Sequence, residues 1–129
     1  MTITASIVDR LSALGLGTIS SDLFEQFMPE EAGGIVVVMP LTGVEVDHEV
    51  PQARVATVQV IVRDKTRSAA DLALEVFEKL GAKEIRVNRH WLRYLRPVHE
   101  PVPFQRSPGG RYEYLINFEV SYIDEISPI

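Results

Sequence analysis

The stretch RVATVQVIVRDKTRSAADLALEVFEKL, residues 54–80, changes its hydrophobic period in the middle. In its first half Ala56, Val58, Val60 and Val62 alternate with Thr57, Gln59 and Arg63. Successive side chains of an extended chain point to opposite faces, so this half reads as a strand with one apolar face. In the second half Ala69, Leu72, Ala73, Val76, Phe77 and Leu80 recur at the spacing that lines one side of a helix. Ser68 followed by Asp71 makes an S-x-x-D capping signal, and Gly81 falls where a left-handed C′ residue is usual. A strand feeding a helix that folds back over it is therefore expected. It carries no catalytic group.

Upstream, Ile3, Ile7, Val8, Leu11 and Leu14 form a helical stripe. A helix is expected over about residues 4–14, capped by Thr2 or Thr4 and ended by Gly15 and Gly17. Residues 20–28, SSDLFEQFM, suit a short helical turn or an extended hook, closed by Pro29, and residues 30–34 read as a polar turn. Residues 35–39, IVVVM, are short and β-branched, which favours a buried strand ended by Pro40. Residues 41–52, LTGVEVDHEVPQ, read as a loop with Glu45, Asp47 and Glu49 set around His48. That is long for a connection inside a compact domain, and long loops are often functional.

Downstream, KEIRVNRHWLRYLR (residues 83–96) has apolar residues on both faces of its second half, and its arginines would also suit a helix face. Its aromatic and β-branched content and the prolines that follow favour a strand over roughly residues 88–96. Pro97, Pro101 and Pro103 allow only an edge strand across residues 98–104, and Ser107-Pro108-Gly109-Gly110 is a turn. Over residues 111–123 Tyr112, Tyr114, Ile116, Phe118, Val120 and Tyr122 alternate with Glu113, Asn117, Glu119 and Ser121. This half-buried strand spans about 40 Å at roughly 3.3 Å per residue, long enough to reach toward a neighbouring subunit. The tail, residues 124–129, is expected to be loosely held. Together these readings give one α+β domain over residues 1–129. It has a mostly antiparallel sheet of four to five strands and two helices packed on one face, in the order α-β-β-α-β-β-β.

The chain has 129 residues, 46% hydrophobic and 24% charged, with a net charge of -5 and no cysteine. The missing cysteines exclude a disulfide framework, a thiolate nucleophile and a Cys-based metal site, and are consistent with synthesis in a cytosol. Negative charge argues against a surface that binds nucleic acid throughout. No apolar run approaches a membrane span, and the first residues lack the basic start and apolar core of a signal peptide. His48, His90 and His99 have no metal-ligand spacing, and Asp47, His48 and Glu49 diverge in an extended loop. No serine sits in a nucleophile-elbow context. Glu30-Glu31 and Asp124-Glu125 read as solvated pairs, and neither Gly33-Gly34 nor Gly109-Gly110 has phosphate-loop spacing. No enzyme activity, metal or cofactor is expected. The distinctive electrostatic feature is the basic run Lys83, Arg86, Arg89, Arg93 and Arg96, with Trp91 and Tyr94 among it. It could stack and hold nucleic acid, or pair with acidic neighbours such as Glu113, Glu119 or another subunit. In an acidic protein the second reading is preferred.

The order LFEQFMPEEAGGIVVVMPLTG, DHEVPQ, VQVIVRDKTRSAADLALEVFEKL and YLRPVHEPVPFQRSPGGRYEYLINFEVSY resembles the tail terminator (minor capsid or tail-completion) proteins of long-tailed bacteriophages. The resemblance covers nearly the whole chain, and RP-x-x-EP (residues 96–101) and GRYEYLINFEVSY are among its more specific pieces. It implies a structural virion protein made in the bacterial host cytoplasm. Such proteins form a ring, usually of six copies, on the head-proximal end of the tail tube. The ring stops tube growth and meets the head-completion protein, with DNA passing through its lumen. No catalytic residue carries over. A ring needs two different faces of one subunit to meet. The interface candidates are Glu45, Asp47 and Glu49 against Arg86, Arg89, Arg93 and Arg96, with Leu74 and Leu115 as apolar positions. Other readings are a different head–tail connector, such as a head-completion protein, or a small ligand-binding α+β domain.

Overall fold

The computed structural model describes residues 2–39, 44–47, 49–50, 52–64, 68–106 and 110–125, without the side chains of 105 and 106. The elements in chain order are α1 (Ile3–Ala13), β1 (Leu23–Glu25), β2 (Gly34–Val38), β3 (Glu45–Val46), β4 (Ala53–Arg63), α2 (Ala69–Lys79), β5 (Ala82–Val87), β6 (His90–Pro97), β7 (Val102–Arg106) and β8 (Tyr112–Asp124). His48, Pro40, the turn at Ser107-Pro108-Gly109 and the last four residues of the tail lie outside the described residues.

The two strands with the clearest alternation pair with each other. β4 and β8 run antiparallel in unbroken register from Ala53↔Ile123 to Arg63↔Glu113. Their inward positions Ala56, Val58, Val60, Val62, Ile116, Phe118, Val120 and Tyr122 are all buried. Both helices bring their apolar sides to the same cluster, α1 with Ile3, Ile7, Val8 and Leu11 and α2 with Ala69, Leu72, Ala73, Val76 and Leu80. Each buried Val, Leu or Ile side chain there contributes about 1.5–3 kcal/mol relative to exposure. Every other strand is added to this central pair. The outer edge of β4 is shared by β2, at residues 59–63, and β3, at residues 54–55. The outer edge of β8 is shared by β6, at residues 118–124, and β7, at residues 112–115. β1 lies beyond β2, and β5 beyond β6.

The expected sheet of four to five antiparallel strands is therefore corrected: the described residues form eight strands in a curled mixed sheet, and 47% of those residues are strand. Three strands escape a periodicity reading, each for its own reason. β1 and β3 are three and two residues long, too short to show a period. β1 also pairs parallel to β2, which makes the sheet mixed. β5 was hidden because residues 83–96 are a hairpin rather than one strand, Val87 pairing with His90 across a turn in which Asn88 takes a φ of 57°. The β6 register slips between Leu92 and Tyr94, so Arg93 is a bulge residue. The bulge reverses the inward–outward order, and Leu92 and Leu95 are buried together. That reversal is what puts apolar residues on both apparent faces of the sequence. The long last strand does not project toward a neighbour: β4, β6 and β7 occupy its two edges.

Local signals place the helices well. Thr2 caps α1 by accepting from the Ala5 N–H, and Ser68 caps α2 by accepting from the Asp71 N–H. Gly15 ends α1 with a φ of 77°, and the Leu16 N–H reaches back to the Leu11 carbonyl. Gly81 lacks the expected left-handed φ. There Arg10 of α1 closes the end of α2, its Nε donating to the Leu80 carbonyl at 2.8 Å and Nη2 to that of Gly81 at 3.1 Å. Gly34 opens β2 at a φ of 118°, where a Cβ would stand 2.1 Å from the Asp22 carbonyl oxygen. No other residue fits that position.

Candidate assembly surfaces

The basic run is largely neutralised by its own chain. Arg96 Nη2 lies 2.6 Å from Glu119 Oε2, which also accepts from Tyr94 Oη at 2.7 Å, while the guanidinium sits 4.8 Å from the Tyr94 ring centre. The Tyr94 hydroxyl and then Arg96 hold the Glu119 carboxyl below the usual range, and the same bond to Glu119 pushes the Tyr94 phenol up. Arg89 Nη2 is 3.0 Å from Asp124 Oδ2, and Arg86 pairs with Glu125. Arg93 and Lys83 are exposed and form no ion pair with the described residues. The bulge turns Arg93 toward a cavity of about 330 Å³ between β3 and β6, whose lining includes Glu45, Asp47, Arg54, Val55 and Ser121. The structure thus brings Glu45, Asp47 and Arg93 together within one chain. Glu49 is exposed beyond β3, where its N–H and that of Val50 donate to Asp47 Oδ1 at 2.8 Å.

Glu113 does not join the basic run. It is 4% exposed, and its Oε2 accepts from Arg63 Nε at 2.8 Å. Arg63 Nη1 also donates to the carbonyls of Pro29 at 2.9 Å and Ala32 at 3.0 Å. This buried pair therefore ties the turn after β1 to the centre of the sheet. Thr2 and Thr4 donate to Glu25, tying β1 to the start of α1. Burial alone would raise the Glu25 carboxyl, but the bonds from Thr2, Thr4 and the Ala5 N–H outweigh it and leave the carboxyl below its ordinary value. A second cavity, of about 350 Å³, opens beside that helix start, lined in part by Gln26, Met39, Arg89, His90 and Asp124. Its polar groups mostly serve one another: Gln26 bridges Thr4 and the Met39 N–H, and His90 Nδ1 lies 2.6 Å from Ser6 Oγ. Among the described residues no cluster of His, Asp and Glu could hold a metal ion, and no helix is long and apolar enough to cross a membrane.

Leu74 is 51% exposed on α2, whereas Leu115 is half-buried between Ile61 and Val102. The sequence reading missed other exposed apolar positions. Phe27, after β1, is 72% exposed, and Val98, Val102 and Phe104, at and before β7, are all exposed. Their signal was present as isolated apolar residues beside prolines, but such residues are common on surfaces and say little until their neighbours are known.

The described residues form a two-helix, one-sheet scaffold whose charged groups pair with one another along β6 and β8 or line shallow surface cavities. The family model described as bacteriophage tail terminator protein matches residues 10–123, and the chain belongs to that family. No curated protein matches the chain. Membership makes it a component of a phage tail that meets other tail or head parts.

Proposed function

We propose that the whole chain, residues 1–129, acts as one non-enzymatic domain that caps the head-proximal end of the tail tube as a homo-oligomeric ring, of six copies by resemblance. The ring ends tube polymerisation and offers the surface on which the head-completion protein joins. DNA passes through its lumen without specific binding, in keeping with the net charge of -5. The protein needs no cofactor, is made in the host cytoplasm and resides in the virion. Family membership over residues 10–123 carries this reading. Between neighbours, Glu45, Asp47 and Glu49 meet the basic positions. Arg93, which forms no ion pair with the described residues but lines the cavity that also holds Glu45 and Asp47 of its own chain, is one partner and the exposed Lys83 another, while Arg86, Arg89 and Arg96 already hold carboxylates of their own chain. Leu74, exposed on the outer side of α2, is a further contact between copies.

The deciding experiment adds the protein to polymerising tail tubes and measures tube length by electron microscopy. Tubes capped at a shorter, protein-dependent length are expected; an unchanged length distribution rejects the reading. Replacing Arg93 by Gln is expected to weaken ring assembly in light scattering, most visibly at low salt.

A further inference from the structure

The sheet has two lateral margins, and strand pairing assigns the surface features to them. β1 and β3 lie on the β4 side, while β5 and β7 lie on the β8 side. At one level a register row runs Phe24–Val36–Ile61–Leu115–Val102, from margin to margin. Five strands make four spacings, so its ends lie about 19 Å apart along the sheet. Near its two ends lie exposed apolar side chains: at one, Phe27, two residues beyond β1 and sharing a surface cavity with Phe24; at the other, Val102 itself and Phe104. A second row runs Glu45–Val55–Ser121–Tyr94–Lys83. Its two ends carry opposite charge. Glu45 and the nearby Glu49 are exposed on the β3 side, and Lys83 is exposed on the β5 side.

Each margin thus has an apolar level and a charged level, in the same order. The apolar levels match each other, and the charged levels are complementary. A two-fold contact would set each margin against itself, either acid on acid and base on base or, with the levels reversed, apolar on charged. A head-to-tail contact sets apolar on apolar and acid on base, which is the arrangement that generates a closed ring or a filament. We propose that copies of this chain associate margin to margin, the β1–β3 edge of one copy against the β5–β7 edge of the next. Phe27 meets Phe104 and Val102 at one level, and Glu45 and Glu49 face Lys83 at the other. This rests on the ring reading above and names the surfaces that build it.

The chain contains no cysteine, so introduced thiols report on chosen positions alone. Phe27→Cys/Phe104→Cys protein, assembled and bound to tail tubes, is treated with a short thiol-to-thiol cross-linker. A ladder of covalent multimers is expected. Either single variant alone gives no covalent product, and a mixture of the two singles stops at dimers. A dimer from Phe27→Cys alone overturns the proposal in favour of a two-fold contact. Shortened tubes with no ladder overturn it while leaving the capping function intact, whereas unchanged tube lengths with the native chain remove the capping function itself. As an independent readout, Phe27→Ser is expected to raise the protein concentration needed for assembly by about tenfold or more, the factor for withdrawing a large apolar side chain from a contact. Its thermal unfolding in dilute solution is expected to stay unchanged. An unchanged assembly concentration for both Phe27→Ser and Val102→Ser overturns the proposal.

Discussion

His90 is 1% exposed in β6, with its ring edge-on to Tyr122 at 5.2 Å and Nδ1 2.6 Å from Ser6 Oγ. Burial lowers its pKa below the ordinary value near 6.5; Asp124 opposes the shift and Arg89 adds to it. The unfolded chain therefore takes up a proton at this residue at a pH where the folded chain does not. The stabilisation from a neutral buried imidazole is complete above about pH 6.5 and is lost as the pH falls through that value toward the folded pKa. Urea midpoints measured between pH 7.5 and 5.5 should fall more steeply for the native chain than for His90→Gln. Equal slopes would show that the imidazole carries no such linkage. Nothing in the sequence marks His90 for this role, because its hydroxyl partner is 84 positions away on α1.

The turn after β1 depends on Arg63, which reaches three of its carbonyls, those of Pro29, Glu30 and Ala32, and the buried Glu113 at once. Arg63→Met should cost about 3–5 kcal/mol, since it leaves a carboxylate buried without its partner. Arg63→Met/Glu113→Leu should cost less than the single change, because the stranded charge is gone. Urea unfolding of the three proteins checks both statements, and a double variant less stable than Arg63→Met contradicts the second. Elements with a long local pattern were legible in the sequence: both helices, their threonine and serine caps, and the strands β2, β4 and β8. β6 was only partly so, because the Arg93 bulge switches the face of its second half and local alternation cannot report a register set by β8. The charged candidate residues were legible as acidic and basic groups. Their grouping was not, because it depends on which sheet margin each short strand joins.

The order of strands across the molecule follows from one fact, that β4 and β8 together form its spine. All six other strands reach the sheet through one of these two, directly or through one intermediate. The spine joins residues 53–63 to residues 113–123, so the contacts that organise the molecule close a long loop. Folding dominated by such distant pairings runs in milliseconds to seconds. Stopped-flow refolding should show that range, and microsecond folding would contradict it. The consequence extends to synthesis. While the chain is being translated, β4, β6 and β7 stand without their common neighbour until β8 has left the ribosome. A ribosome-held chain that stops before Tyr112 should remain open to protease, and it lacks the strand that holds the two margins apart. Chains truncated before Tyr112 should therefore be missing from assembled tails, and finding one there would contradict this order of folding.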